Sequence, residues 1–198
     1  MGIDYSFEIF VPAGNVARAL TLLAELAPQC DRDRLPLRVD LPGGERLSLP
    51  FTSGFEHRPI DASSADVLDL ETWIMFGADD AVREHRNPAA EIDELGRVEV
   101  GYIYLTVTFA RARHARFASL DFTAAATSMS LMFQQSESVR KTFTDLTVAS
   151  GGVCCLLDTQ TEVHDICWLN GEPMRETVPG PRFVGFHDLV AAWPDPPG

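Results

Sequence analysis

The run from Val98 to Phe109 restricts the fold of this chain more than any other segment. Nearly every residue in it is β-branched, aromatic or aliphatic, which favours an extended strand. Alternate positions form two rows, one of Ile103, Leu105, Val107 and Phe109 and the other of Tyr102, Tyr104, Thr106 and Thr108. The pattern predicts a central strand with one face in the core. Its second face also carries aromatic rings and therefore needs a cover.

Strand and helix patterns alternate along the rest of the chain. Period-two alternation predicts strands over 5–11 and 117–123, a hairpin of 37–41 with 47–51 across Gly43-Gly44, and a hairpin of 153–157 with 163–169. A mostly apolar run predicts a buried strand over 67–76. Three- and four-residue apolar spacing predicts one helix over 16–27 and a longer one from Thr127 or Ser128 to Leu146. We therefore expect an α+β fold.

The expected architecture is a mostly antiparallel sheet of about eight strands with two main helices packed on one face. At 198 residues the chain has the length of one ordinary domain, so we expect residues 1–198 to fold as a single unit. The two ends of the chain both show the pattern strand, helix, strand, strand, with two more strands between them, which makes residues 1–76 and 97–170 possible halves of a pseudo-repeat. No residues repeat between them, but the shared pattern predicts two ferredoxin-like halves within one sheet.

The charge balance argues against two classes of partner. Sixteen basic and 29 acidic residues give a net charge of −13, which opposes binding to nucleic-acid phosphates and to anionic membranes. No uncharged run reaches the ~20 residues of a membrane helix, and the N-terminus lacks a basic region followed by an apolar core. We expect a cytoplasmic protein. Arginine greatly outnumbers lysine, which is typical of a GC-rich bacterial genome.

The motifs of the commonest small enzymes and cofactor sites are missing. The sequence has no G-x-S-x-G elbow, no phosphate-binding G-x-x-x-x-G-K-[ST] loop, no G-x-G-x-x-G, no H-E-x-x-H and no C-x-x-C. Ser138 to Lys141 fits S-x-x-K, but without its companion motifs it is interpreted as a solvated helix face. We therefore expect no cofactor, and the sequence leans towards a protein that is not an enzyme.

Three sulfur atoms and one imidazole fall on the last predicted hairpin, at Cys154, Cys155, Cys167 and His164. These ligand types can bind zinc tetrahedrally. Adjacent residues of a strand point to opposite faces, however, so Cys154 and Cys155 cannot both face one ion. We therefore predict no metal site, with thiols in the core and His164 at its edge.

Two charged segments are candidate binding sites. The acidic connection over 77–96 contains Asp79, Asp80 and His85, which could hold a cation or perform acid-base work. A basic segment follows the central strand and contains Arg111, Arg113, His114 and Arg116. These cations could bind a phosphate or carboxylate ligand, or they could pair with the acidic connection of the same chain or of a second subunit. Pairing is the favoured interpretation.

The aromatic side chains of Trp73, Tyr102 and Tyr104 leave two functions open. As part of a sheet face without helices they could contact a protein partner, and a homodimer would supply the missing cover. The leading hypothesis is a non-catalytic interaction module, in its narrowest form an acidic inhibitor or immunity-type protein. The alternative is a small-ligand-binding protein or hydrolase-like enzyme. Its site would lie between the open sheet face and the 77–96 loop.

Overall fold

The structure is a computed structural model that describes residues 3–29, 35–85, 91–109, 116–180 and 184–195. The described strands are β1 (Ser6–Pro12), β2 (Leu37–Asp40), β3 (Arg46–Leu49), β4 (Ile60–Asp61), β5 (Val67–Gly77), β6 (Arg97–Thr108), β7 (Phe117–Ala124), β8 (Cys154–Asp158), β9 (Val163–Leu169) and β10 (Glu172–Pro179). The described α-helices are α1 (Val16–Glu25), α2 (Asp80–His85), α3 (Thr127–Gln135), α4 (Glu137–Ala149) and α5 (Val184–Ala191).

A seven-stranded sheet in the order β10-β9-β8-β1-β7-β6-β5 forms the centre of the fold. All of its neighbouring strands are antiparallel. A separate three-stranded sheet in the order β3-β2-β4 contains one parallel pair, β2 with β4. The α+β class and the antiparallel sheet are confirmed. The prediction was one sheet of about eight strands, whereas the ten described strands form one sheet of seven and one of three.

The two parts of the chain interleave in the large sheet. β1 lies between β7 and β8, both from the second half of the sequence. The hairpin β5–β6 joins β7 through its second strand, whereas the hairpin β8–β9 joins β1 through its first strand. The strand order therefore does not repeat, and β1, α1, β6, β7, α4 and β8 form one ferredoxin-like unit across both halves. β2 to β5 are inserted between α1 and β6.

The helix-covered face of the sheet holds the main core. β1 directs Phe7, Ile9 and Val11 into it, and α1 contributes side chains at helical spacing, Val16, Ala19, Leu20 and Leu23. Phe143 of α4 lies at the centre, fully buried. Its ring centroid is 4.6 Å from that of Phe7 and 4.8 Å from that of Phe122. Alternation in the strands and the 3.6-residue helical period therefore supply the two sides of one core.

The opposite face of the sheet is divided into two parts. Over β8 to β10 and the adjoining ends of β1 and β7 it is apolar, and its buried members are Phe10, Phe117, Val153, Cys154, Leu156, Ile166, Val178 and Trp193. Leu189 and Val190 of α5 pack against this cluster. The C-terminal segment of the chain thus covers part of the face that the sequence interpretation left open. Over β7, β6 and β5 the same face is polar, and we call it the open face.

Two elements differ from the prediction. The longer predicted helix is two helices, because Ser136 has extended backbone angles (φ −85°, ψ 119°) and its hydroxyl accepts a hydrogen bond from the Val139 N–H at the start of α4. The segment after Leu169, where the sequence predicts no strand or helix, contains the strand β10. β10 is an edge strand, and its prolines lie near its two ends, at 173 and 179, where a missing N–H is tolerated.

Candidate functional site

The open face carries a cross-strand row of polar and acidic side chains. Glu8 pairs with Asp121, Asp121 pairs with Thr106, and Thr106 pairs with Asp69. The Thr106 hydroxyl donates to the Asp69 carboxylate at 2.7 Å. Directly paired residues of a sheet place their side chains on one face, so this row begins at the buried Glu8 of β1 and continues on the open face with Asp121 and Asp69.

Three aromatic rings form a continuous patch at one end of the open face. The ring centroids of Phe55 and Tyr102 are 5.4 Å apart at an angle of 88°, and those of Tyr102 and Tyr104 are 5.3 Å apart at 77°. Both pairs have the edge-to-face geometry that aromatic quadrupoles favour. Phe55 is 57% exposed and Tyr104 is 40% exposed. We call Phe55, Tyr102 and Tyr104 the aromatic patch.

A buried carboxylate holds Phe55 in the patch. Glu71 of β5 is 7% exposed, and it accepts hydrogen bonds from the Thr52 hydroxyl at 2.7 Å and from the backbone N–H groups of Gly54 at 3.1 Å and Phe55 at 3.0 Å. Gly54 and Phe55 both have left-handed backbone angles, with φ of 58° and 59°. Such a conformation in Phe costs energy, and the bonds to Glu71 offset it.

The sequence-predicted aromatic residues divide between the patch and the core. Tyr102 and Tyr104 lie in the patch, whereas Trp73, which pairs with Tyr102 across β5 and β6, is half-buried and packs against the main core. A hydrogen bond with Tyr102 is the main cause of a raised pKa at Tyr104.

The acidic candidates Asp79, Asp80 and His85 are separated by their local roles. Asp79 joins the starts of two helices, because its carboxylate accepts from the Val82 N–H of α2, the Ser138 N–H of α4 and the Ser136 hydroxyl. Asp80 is exposed, and its carboxylate lies 3.6 Å from Arg83. The His85 Nε2 lies 3.3 Å from the Val100 carbonyl oxygen. Val82 of α2 is buried in the main core, so this segment packs on the helix-covered face and not beside the open face.

We expect Asp79→Asn to lower the free energy of unfolding by about 1.5 kcal/mol at pH 7, because the charged acceptor of three hydrogen bonds is lost. Burial alone would raise the pKa of Asp79, but the bonds from Ser138, Val82 and Ser136 lower it overall. Because the pKa of Asp79 is lower in the folded state than in the unfolded state, where it is about 3.9, the ionised carboxylate stabilises the fold above about pH 3.9. This stabilisation is lost as the pH falls through the pKa of the folded state.

Urea unfolding at pH 7, 5 and 3 measures this difference, which should shrink at the lowest pH. Asp80→Asn is the matched control, because the exposed neighbouring carboxylate should change the stability by less than about 0.5 kcal/mol. Equal effects of the two substitutions at pH 7 would contradict the role assigned to Asp79.

The basic segment lies mostly outside the described residues, which exclude Arg111, Arg113 and His114. Arg116 is described, and its guanidinium contacts the Asp195 carboxylate and lies 5.8 Å from the centroid of the Phe117 ring. Its described ion pair therefore lies with the C-terminal segment and not with the acidic connection.

The cysteine and histidine candidates fall on two faces of the sheet. Cys155 and Cys167 belong to the main core, whereas Cys154 belongs to the cluster on the opposite face. The His164 Nε2 lies 3.4 Å from the Asp158 carboxylate. Among the residues that the structure describes, no three His, Cys, Asp or Glu side chains gather as metal ligands would.

The S-x-x-K residues serve local structure. The Ser138 hydroxyl donates to the Gly77 carbonyl oxygen at 2.6 Å, and Lys141 pairs with Asp145 at 2.5 Å one turn along α4. A separate cleft of about 470 Å³ lies between the start of α1 and the β2–β3 hairpin. Its lining includes Gly14, Leu41, Glu45, Ser63 and Phe109, and it contains none of the predicted site residues.

Sequence reasoning missed Phe55 and Glu71. Phe55 lies in a segment whose composition predicts a loop, and Glu71 lies in a predicted buried strand. Their contact joins positions 16 residues apart. A usable signal was a charged residue inside the apolar run 67–76, since a buried carboxylate requires hydrogen-bond donors.

These features define an α+β protein whose large sheet is covered by helices on one face and carries an exposed aromatic patch on the other. No family model matches the chain, and neither the curated proteins nor the solved structures contain one that is significantly similar to it. Among the described helices, none is both long enough and apolar enough to span a membrane.

Proposed function

We propose that this protein is a non-catalytic interaction module that uses the aromatic patch to bind a basic segment of a protein partner. The observation that carries the proposal is a row of three touching rings on a sheet face, of which Phe55 and Tyr104 are exposed and Tyr102 is half-buried. Large aromatic side chains lose little conformational entropy on binding, and they are enriched among the residues that dominate interface energies.

Charge favours a basic partner. The chain carries a net charge of −13, and the exposed carboxylate of Asp69 lies on the same face as the patch. Arginine and lysine side chains bind over aromatic rings and pair with carboxylates, so one basic side chain can use both features. Opposite net charges also speed association.

The narrower form of the proposal is an acidic inhibitor or immunity-type protein that binds a basic target. The cytoplasm remains the proposed compartment, and the three described cysteines, Cys154, Cys155 and Cys167, are free thiols. A homodimer formed through the patch is the competing occupant. The net charge disfavours it, because two copies would bring like charges together.

Selection from a displayed library of random peptides tests the proposal. Peptides that bind the wild-type protein should be enriched in arginine and lysine, and their affinity should fall as salt is added. In calorimetry, the double variant Tyr102→Ala, Tyr104→Ala should bind these peptides at least about tenfold more weakly, since two of the three rings of the patch are removed.

Leu131→Ala is the matched control, because Leu131 is 42% exposed on α3, away from the patch. It should bind as the wild type does. Selected peptides without basic enrichment, or equal binding by the double variant, would refute the proposal. Loss of a dimer in the double variant, detected by sedimentation, would instead identify a second copy as the occupant.

A further inference from the structure

Two thiols meet where α4 packs on the β8–β9 hairpin. Cys155 and Cys167 are both buried in the main core, and each is a cause of the other's pKa shift. Leu156 pairs with Ile166, and a regular register would then pair Cys155 with Cys167. Cys155 pairs with Trp168 instead. Cys167 is therefore the additional residue of a β-bulge, in which two residues oppose one. The bulge places both thiols on the helix-covered face.

Arg140 of α4 binds one of the two sulfur atoms. Its Nη1 donates to the Cys167 Sγ at 3.0 Å, and its Nη2 lies 3.8 Å from the Asp165 carboxylate. The hydrogen bond from Cys155, with the charge of Arg140, lowers the pKa of Cys167 against the effect of burial. Burial is the main cause that raises the pKa of Cys155. The pair thus combines a sulfur atom whose pKa is lowered, at Cys167, with one whose pKa is raised, at Cys155.

A cleft gives this pair a route to solvent. It has a volume of about 420 Å³ between α4 and the strands β9 and β10, and its lining includes Arg140, Thr144, Cys167, Met174 and Arg175. Cys167 is 2% exposed and Cys155 is 0% exposed. Only a small reagent can therefore reach the sulfur of Cys167, and it meets Cys167 before Cys155.

We propose that Cys167 and Cys155 form a redox-active pair, in which Cys167 reacts with a hydroperoxide and Cys155 resolves the product as a disulfide. The Cys167 thiolate attacks one oxygen of the O–O bond, which breaks to give a sulfenic acid and an alkoxide or hydroxide that takes a proton from water. The Cys155 thiol then attacks the sulfenic sulfur, an S–S bond forms and water leaves. Two electrons pass from the thiols to the peroxide. This inference does not depend on the aromatic patch.

Oxidation with near-stoichiometric hydrogen peroxide in a Cys30→Ser background tests the pair. Mass spectrometry without reductant should show the loss of two hydrogen atoms and a crosslink between the two hairpin strands, reversed by dithiothreitol. Because Cys154 and Cys155 are adjacent, Cys154→Ser is required, and it should leave the crosslink intact. Cys155→Ser should instead stop at a sulfenic acid on Cys167 that dimedone traps. No crosslink, or a crosslink that Cys154→Ser abolishes, would overturn the proposal.

The rate of Cys167 oxidation distinguishes a thiolate that Arg140 positions from a thiol that is only accessible. Arg140→Gln should slow the oxidation of Cys167 by about tenfold, and Arg140→Lys should restore part of the rate because it keeps the positive charge. Arg175→Gln is the matched control, since Arg175 lines the same cleft but pairs with Glu137 at 2.9 Å. Circular dichroism verifies that each variant is folded. An unchanged rate in Arg140→Gln would contradict the role of Arg140 and overturn the proposal.

Discussion

Phe143→Ala should lower the free energy of unfolding by about 4 kcal/mol, because it removes a fully buried ring and leaves a cavity that the sheet cannot fill. The Phe143 ring lies within 5.8 Å of the Phe76 and Phe133 rings as well as near Phe7 and Phe122. Removing it separates α4 from the sheet and from α3. Urea unfolding followed by circular dichroism measures the loss.

The control for Phe143 is Val148→Ala in the same helix. Val148 is 50% exposed, so its truncation should change the stability by less than about 0.5 kcal/mol. Phe143→Leu, which keeps most of the volume, should lose about 1.5 kcal/mol and remain folded if the alanine variant does not. A loss below about 1 kcal/mol for Phe143→Ala would contradict the core described above.

Trp193→Ala should lower the free energy of unfolding by about 3 kcal/mol and make the protein self-associate. The Trp193 ring is 4.7 Å from Phe10 and 5.2 Å from Phe117, between centroids, and the residue is 4% exposed. Without it, the apolar part of the second face loses its cover. Urea unfolding and sedimentation velocity measure the two effects.

The control for Trp193 is Val163→Ala on β9. Val163 is 41% exposed, and its truncation should leave the sedimentation coefficient unchanged. A monomeric Trp193→Ala protein of wild-type stability would show that the C-terminal segment is not the cover of this face. The apolar part would then have to be covered by another protein chain.

Local pattern determined most of the strands and helices. The alternation over β1 and β6 has the period of two that is typical of a β-strand. Gly43 and Gly44 have φ of 103° and 91°, as the predicted turn requires. Where two local signals competed, the prediction was less accurate. The apolar spacing continues without interruption across Ser136. The Ser136 hydroxyl, however, accepts a hydrogen bond from the Val139 N–H, and this capping bond starts a second helix there.

Strand order and the contents of the candidate site required the tertiary structure. Pairing of β1 with β7 and β8 joins residues more than 100 positions apart, and no local pattern specifies such a partner. The same holds for the contact of Glu71 with the loop at Phe55, which creates the aromatic patch, and for Arg140 beside Cys167. These contacts depend on which surfaces meet during folding.

The amino-acid sequence by itself thus determined the class of the fold, the acidic charge and the side chains that alternate on each strand. The tertiary structure decided which face the C-terminal segment covers, which rings remain exposed and which thiols meet. The physical reason is the distance along the chain over which each effect acts. Backbone geometry and hydrophobic period act over a few residues, whereas packing selects among distant surfaces that are equally apolar in sequence.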